Sequence, residues 1–212
     1  MDITPFEITV DPLAGRAPRT AGTHVTAVIA HLQRSMGEKE PDHWESAGLC
    51  GFLWEEAIST ALRNQHLRGE GKDLGLVVPG ELEEDGLLLT PDDMAWGEGG
   101  AVYEYKFTWK SYRKSPPESI WKYMVQLKAY CYVLRQFVGN LVVLYCCGNY
   151  GPPSPIGPVG VSFLFSPQEL VDNWHMIRQG AADMERIKEK AGEQKTVVDK
   201  GMNDRYMKGR MQ

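Results

Sequence analysis

Apolar residues in the first third of the chain recur at the spacing of an α-helix. Residues 1–19 contain three prolines and predict an irregular arm. A first helix is predicted after this arm and ends where residues 37–42 bring in glycine, charges and proline; its apolar positions are Val25, Val28, Ile29 and Leu32. A second helix is predicted from about Glu45 to about Leu67.

The apolar period changes to two after Val77, which is typical of β-strands. Residues 80–96 predict a hairpin that turns at Asp85-Gly86, and residues 101–108 predict a third strand. A helix, two strands and a last helix are then predicted over about 118–137, 141–147, 159–165 and 167–191. The strand 141–147 is continuously apolar, so we expect it to be buried on both faces. This order predicts an α/β fold in which helices flank a central mixed β-sheet.

The composition is that of an ordinary soluble globular protein, with 212 residues, 42% of them hydrophobic and 24% charged. We expect one domain over residues 1–191, with its core at about 45–165 and the arm and first helix in 1–42. The tail, 192–212, has five Lys or Arg against three Asp or Glu and is expected to be flexible or docked on a partner. No run of eighteen apolar residues and no secretory signal is present, so we expect no membrane partner and a cytoplasmic location.

Charge and cysteine usage limit the classes of function. The formal net charge is −5, so nucleic-acid binding cannot be inferred from an overall basic chain and depends on local patches. The four cysteines show no C-x-x-C spacing, and the adjacent pair lies in an apolar run whose neighbouring side chains point to opposite faces. We expect reduced thiols, with a metal or iron–sulfur role as the alternative, at Cys50, Cys131, Cys146 and Cys147.

The third predicted strand carries two opposite charges on one face. Because side chains alternate along a strand, Glu104 and Lys106 point to one side, whereas Tyr103, Tyr105 and Phe107 point to the other, which we expect to be apolar. Glutamate and lysine are rarely buried without partners. The pair is therefore either an ordinary surface ion pair or part of a functional site.

Two further carboxylates are expected near Glu104. Thr90-Pro91 ends an apolar strand just before Asp92, which can lie beside Glu104 on the neighbouring strand. Glu55 lies on the more apolar side of the second helix, one turn after Gly51, where the sheet can approach closely. Each acid alone also fits a turn or a helix margin. Three carboxylates within reach of one another repel unless a cation lies between them, and such oxygen ligands select Mg²⁺ or Mn²⁺.

Four short motifs in this order resemble a known family. They are Gly51-x-x-x-Glu55, Thr90-Pro91-Asp92, Glu104-Tyr105-Lys106, and Gln126 with Tyr130 on the following helix. The set resembles the PD-(D/E)XK nuclease superfamily, and within it the phage-type lambda exonuclease and RecB-like branch, over about residues 45–135. The resemblance implies a restriction-endonuclease-like αβββαβ core.

The resemblance also implies a metal site. Glu55, Asp92 and Glu104, with the backbone carbonyl of Tyr105, would bind one or two Mg²⁺ or Mn²⁺ ions. Asp93 stands where relatives often have glycine, so the choice between Asp92 and Asp93 as the ligand stays open. The cysteine spacing differs from that of relatives with an iron–sulfur cluster, and no such cluster is expected.

Two further residues have catalytic roles by the same resemblance. Lys106 would orient or activate the attacking water and stabilise charge on the phosphate. Gln126 would fix the site or a DNA phosphate. Phosphodiester hydrolysis needs these elements, because a cation must neutralise the phosphate and water must become a nucleophile at neutral pH.

A local group of cations and aromatic rings follows Lys106 along the chain. We expect it to contact phosphates and to stack on an unpaired base, with a solvated loop as the alternative. Arg63 and Arg68 on the second helix could extend it, or could only stabilise the helix end. The expected DNA-binding residues are Trp109, Lys110, Tyr112, Arg113, Lys114, Lys122 and Tyr130.

The function predicted from these features is a Mg²⁺-dependent deoxyribonuclease that hydrolyses phosphodiester bonds. The resemblance implies an exonuclease in phage-type recombination or DNA processing. It also suggests a phage recombination or single-strand-binding protein as partner, a homo-oligomer, and the host cytoplasm if the chain is phage-encoded. Two alternatives stay open: a structure-specific or restriction-type endonuclease on the same core, and a non-catalytic DNA-binding or scaffold protein that retains the fold.

Overall fold

The structure is a computed structural model that describes residues 20–38, 45–64, 75–96, 100–145 and 158–208, with the backbone alone for 45–49 and 192–208. The α-helices of these ranges are α1 (Val25–Ser35), α2 (Glu45–Asn64), α3 (Trp121–Val133) and α4 (Pro167–Lys208), and a short 3-10 helix covers Pro117–Ser119. The strands are β1 (Thr23–His24), β2 (Leu76–Val77), β3 (Leu82–Glu84), β4 (Leu87–Leu89), β5 (Asp93–Ala95), β6 (Ala101–Thr108), β7 (Val138–Tyr145) and β8 (Val159–Leu164).

A mixed five-stranded sheet forms the centre of the fold, in the order β2-β5-β6-β7-β8. β6 pairs in parallel with β7, and helix α3 supplies the crossover connection that parallel neighbours require. The other pairs are antiparallel. The predicted α/β fold, with helices flanking a mixed sheet, is therefore confirmed.

The predicted hairpin is divided between two sheets. Its turn is where expected, since Asp85 and Gly86 both have positive φ, at 52° and 75°, as a tight two-residue turn requires. The predicted second strand is interrupted at Pro91 and becomes β4 and β5. β4 joins a three-stranded sheet of order β1-β4-β3, whereas β5 joins the central sheet. Proline has no N–H to donate to a ladder, so the chain changes sheets there.

The hydrophobic core lies between the sheets and three helices. Its fully buried members come from α1, α3, β6, β7 and α4, and include Val28, Leu127, Val102, Leu141, Val143 and Ile177. Helix α3 lies very close to β7: a Cβ on Gly139 would stand 2.8 Å from Leu127. A side chain at that position would push the helix off the sheet, and this close approach explains the glycine.

Two predictions about elements are wrong. Strand β7 is fully buried on one face only, because Asn140, Val142 and Leu144 on its other face are half-buried. Helix α4 does not end near Ala191 but continues to Lys208. An interior glycine such as Gly192 costs about 1 kcal/mol relative to alanine, which weakens a helix without necessarily ending it. No helix among the described residues is both long and apolar enough to cross a membrane.

Candidate active site

Strand β6 brings two opposite charges into the interior of the protein. Glu104 is 0% exposed, and the side chain of Lys106 is 16% exposed. The Lys106 ammonium forms an ion pair with Oε1 of Glu104. Among the described residues, Oε2 of Glu104 has no hydrogen-bond partner. The pair is therefore a buried one, unlike the surface ion pair that was the alternative.

Asp92 lies on the same face of the sheet as Glu104. β5 and β6 are antiparallel with Asp93 opposite Tyr103, and continuing this register by one residue puts Asp92 opposite Glu104. The backbone N–H of Tyr105 donates a hydrogen bond of 2.8 Å to Oδ2 of Asp92. This bond fixes the Asp92 carboxylate against β6.

A cavity of about 360 Å³ opens beside these residues. Its walls include the six residues predicted as catalytic or metal-binding, namely Glu55, Asp92, Glu104, Tyr105, Lys106 and Gln126. Glu55 reaches it from α2, Asp92 from the chain before β5, and Gln126 from α3. We call it the central cavity. Residues from distant parts of the sequence thus meet at one open site.

The charges in the central cavity influence one another strongly. Burial raises the pKa of Glu104 well above its ordinary value of 4.5, and the charges of Asp92 and Glu55 raise it further, against the opposing effect of Lys106. Burial alone would lower the pKa of Lys106, but the carboxylates of Glu104 and Asp92 outweigh it and raise that pKa. The site holds an excess of negative charge that one ammonium group does not balance.

Gln126 and Tyr130 form the wall contributed by α3. Nε2 of Gln126 donates a hydrogen bond of 2.7 Å to the Tyr130 hydroxyl. Burial raises the pKa of Tyr130, and the charge of Glu104 raises it further, so its hydroxyl stays protonated. Tyr130 is 1% exposed, which places its ring beneath the cavity rather than on an open surface.

Asp93 points away from the central cavity into a buried network. It is 0% exposed, and its Oδ2 accepts hydrogen bonds from Ser59 Oγ at 2.5 Å and from the Tyr105 hydroxyl at 2.9 Å. Its Oδ1 lies 3.2 Å from Nη2 of Arg63, an ion pair without an aligned hydrogen bond. The sequence predicts an apolar face of β6 at Tyr105. That face is not purely apolar, because the Tyr105 hydroxyl donates to buried Asp93. Asp92, and not Asp93, lines the cavity.

The carboxylates share the cavity without forming a finished metal cage. Among the described residues, no group of three or more His, Cys, Asp or Glu side chains is arranged to hold a metal ion. Like charges repel, and Glu104 is already paired with Lys106. The donor set nevertheless fits a hard divalent cation in its chemistry, because all three groups are carboxylates and a buried oxygen of Glu104 lacks a hydrogen bond.

The predicted DNA-binding residues lie outside the central cavity, apart from Tyr130. Trp109 and Tyr112 are 42% and 37% exposed and pack edge-to-face on Phe107 and Tyr145. Lys110, Arg113 and Lys114 are exposed in the same loop.

Lys122 lies in the first turn of α3. Burial lowers the pKa of Lys122, and the ammonium groups of Lys110 and Lys106 lower it further, against the opposing charge of Glu38. Lys122 is therefore within electrostatic reach of a lysine of the cavity and of a lysine of the loop.

Several residues of the site and its surroundings were missed by the sequence analysis. Thr26, Phe52, Glu56 and Val78 also line the central cavity. Ser59 and Arg63 line the cavity as well and contact Asp93; the Arg63 side chain, 40% exposed, was considered only as an extension of the DNA contacts. Their spacing from Glu55, four and eight residues, puts them on its helix face and could have revealed them. Arg68 lies outside the described residues.

The described cysteines are free thiols. Cys131 is buried, and burial raises its pKa to about 12, which makes it unreactive. Cys50 is half-buried. Cys146 and Cys147 lie outside the described residues.

Comparisons with known proteins found similar solved structures but no matching family. No family model matches the sequence, and no curated protein matches it. The similar structures include SSO0001, with 13% identity over 82% of this chain and 80% of that chain and a TM-score of 0.48. An alkaline exonuclease from Laribacter hongkongensis has 13% identity over 81% and 94% of the two chains, with a TM-score of 0.45. A phage-related exonuclease from Haemophilus somnus 129PT has 13% identity over 74% and 78%, with a TM-score of 0.43. These similarities are too low to show a function for this chain.

Proposed function

We propose that this protein is a metal-dependent DNA nuclease that hydrolyses phosphodiester bonds at the central cavity. The observation that carries the proposal is the buried Glu104–Lys106 pair, which lies in an open cavity together with Asp92 and Glu55. Burying charged groups costs several kcal/mol per ion in order of magnitude, so a protein that only needed a stable core would place apolar residues there. Strongly shifted pKa values in a cleft are typical of catalytic sites.

The carboxylates are the groups that would hold the cation. Glu104, Asp92 and Glu55 supply hard oxygen ligands, for which Mg²⁺ or Mn²⁺ is the matching ion. The backbone carbonyl of Tyr105 is a further candidate ligand, since Tyr105 also borders the cavity. A divalent ion bound there supplies positive charge for the scissile phosphate and lowers the pKa of water.

Lys106 and Gln126 are the groups that would act on the substrate. The charged Lys106 ammonium can hold the attacking water by a hydrogen bond and can stabilise the negative charge that develops on the phosphate. Its raised pKa keeps it charged at neutral pH. Gln126 is held by Tyr130 and can donate its remaining amide hydrogen to a phosphate oxygen.

The cations beside the cavity would bind the DNA backbone. Lys122 and Lys110 extend positive charge from Lys106, and Arg113 and Lys114 add exposed charge in the loop. Such contacts provide most of the affinity for DNA and do not require an overall basic protein. The exposed ring of Trp109 offers a face on which an unpaired base can stack.

The finer assignment, an exonuclease of phage-type recombination or DNA processing, rests on the motif resemblance. A recombination or single-strand-binding partner, a homo-oligomer and a cytoplasmic location belong to the same proposal. An exonuclease works from DNA ends, so it would degrade linear DNA and leave a covalently closed circle intact. An endonuclease on the same site would nick the circle.

The decisive experiment incubates the protein with end-labelled linear DNA and with closed circular DNA, in Mg²⁺, Mn²⁺, Ca²⁺ or chelator. We expect nucleotides to be released from linear DNA with Mg²⁺ or Mn²⁺ and not with chelator. Lys106→Ala and Glu104→Gln should each lower the rate by at least about a hundredfold.

Lys128→Ala and Glu169→Gln are matched controls for these two variants. They remove the members of an ion pair of 3.3 Å on the surface, away from the cavity, and should leave the rate unchanged. Cleavage by folded Lys106→Ala at the wild-type rate would refute the assignment of the site. Binding of DNA with no cleavage under any condition would support the non-catalytic alternative.

A further inference from the structure

The buried network around Asp93 joins three of the elements around the central cavity. Ser59 belongs to α2, Asp93 to β5 and Tyr105 to β6, and both hydroxyls donate to the same carboxylate oxygen. Arg63, one turn after Ser59, pairs with the other oxygen of Asp93 and donates to Ser59 Oγ. We call these four residues the Asp93 latch. Asp93 and Tyr105 are 0% exposed and Ser59 is 6% exposed, whereas the Arg63 side chain is 40% exposed and covers the latch from the solvent side.

Each latch residue stands next to a residue of the cavity. Ser59 is one helical turn after Glu55, Asp93 directly follows Asp92, and Tyr105 lies between Glu104 and Lys106. Side chains one turn apart on a helix share a face, and adjacent residues of a strand point to opposite faces. Asp93 therefore lies on the opposite face of its strand from Asp92, whereas Ser59 lies on the helix face of Glu55, and the latch borders the cavity through Ser59, Arg63 and Tyr105.

We propose that Asp93 is a positioning residue that fixes α2 against β5 and β6, and thereby sets the separation of Glu55 from Asp92 and Glu104. The inference rests on the proposed function only where it concerns cleavage and metal binding. A buried carboxylate is costly unless it is hydrogen-bonded and paired, and here a serine and a tyrosine donate to one oxygen while an arginine pairs with the other, from two other elements. Three carboxylates that repel one another need such a restraint, because nothing in their own charges draws α2 towards the sheet.

The test compares Asp93→Asn with Asp85→Asn, a matched control. Like Asp93, Asp85 accepts a hydrogen bond from an aromatic side chain and pairs with an arginine. The donor is the indole N–H of Trp174 at 2.8 Å, and the arginine is Arg178. Asp85 lies at the β3–β4 turn. Hydrogen exchange of the α2 amides between Glu55 and Asn64 reports the latch without reference to activity. We expect exchange there to be at least about tenfold faster in Asp93→Asn, and unchanged in Asp85→Asn.

Two further measurements distinguish a positioning role of Asp93 from partial unfolding of the Asp93→Asn variant. Titration with Mn²⁺ should give weaker binding, by about 10- to 100-fold, at an unchanged number of ions per chain, whereas a partly unfolded sample would bind fewer ions with unchanged affinity. The kcat for DNA cleavage should fall by a similar factor, and KM should not change because the DNA-contacting side chains are intact.

Tyr105→Phe provides the same test if Asp93→Asn does not fold, since it removes one donor to Asp93 and keeps the ring. Unchanged α2 exchange in the folded variant would overturn the latch. Unchanged Mn²⁺ affinity and kcat, beside an active wild type, would overturn its positioning role. A wild type that neither binds Mn²⁺ nor cleaves DNA would refute the proposed function instead, and the exchange result alone would then decide whether the latch exists.

Discussion

Glu104 is a buried carboxylate that is subject to opposing electrostatic effects. It is completely buried, only one of its oxygens is paired with a cation, and two other carboxylates act on it. Its ionised form is therefore disfavoured in the folded state relative to the unfolded chain. A residue that destabilises the fold is retained more readily where its charge has a function.

The raised pKa of Glu104 predicts how stability depends on pH. From about 4.5 up to its pKa in the folded state, Glu104 keeps its proton when folded and loses it when unfolded. The folded state then binds more protons, so the free energy of unfolding falls as the pH rises through this window. Glu104→Gln has no such proton to lose. Urea denaturation in chelator should show the variant gaining stability relative to wild type as the pH rises from 4.5 to 8, and parallel curves would contradict this account.

Asp92 and Asp93 show why neighbouring identical residues differ in role. The alternation of side chains along a strand sends one towards Glu104 and the other towards Tyr105. The sequence could not decide between them, because either becomes the inward residue if the register shifts by one. Only the pairing of Asp93 with Tyr103 settles it.

At the scale of elements, the segment from β6 to α3 carries both the proposed catalytic lysine and the proposed DNA contacts. Lys106 lies in β6, Lys110 lies in the loop, and Lys122 lies in the first turn of α3. Burial lowers the pKa of Lys122, and the charges of Lys110 and Lys106 lower it further. DNA binding along this segment should therefore depend on salt.

Removing one of these lysines should change the salt dependence of DNA affinity in a defined way. In fluorescence anisotropy with chelator, Lys110→Ala and Lys122→Ala should each weaken binding and reduce the slope of log affinity against log salt by about 1. Lys188→Ala, which removes a lysine of α4 that pairs with Glu185, is the control and should leave the slope unchanged. An unchanged slope in both Lys110→Ala and Lys122→Ala would show that these two residues do not contact the DNA backbone.

Elements with a strong local pattern were predictable, and those that depend on distant contacts were not. The alternation of residues 101–108 predicted β6 with the bounds that the structure has, and Asp85-Gly86 predicted the turn. β1 and β2 have two residues each and exist only through pairing with β4 and β5. The change of sheet at Pro91 likewise follows from tertiary pairing, which no local period contains.

At the scale of the whole molecule, the central cavity forms only when the fold is complete. Glu55, Asp92 and Glu104 come from a helix, an interstrand bend and a central strand, and the latch ties those elements together beside the cavity. The convergence of these residues was predictable from their motifs. The Asp93 latch was not, because it needs α2 placed against β5 and β6. A divalent cation that binds the folded cavity and not the unfolded chain would stabilise the whole protein.

Anomalous diffraction from crystals grown with Mn²⁺ would show whether the central cavity binds a divalent cation, because it locates the ion without any assay of activity. We expect a manganese peak in the central cavity, within coordination distance of carboxylate oxygens of Asp92 and Glu104, with Glu55 drawn towards it. We expect no such peak in Asp92→Asn. Crystals with no manganese in that cavity at saturating Mn²⁺, or with manganese bound at Asp93 instead, would refute metal binding by these carboxylates.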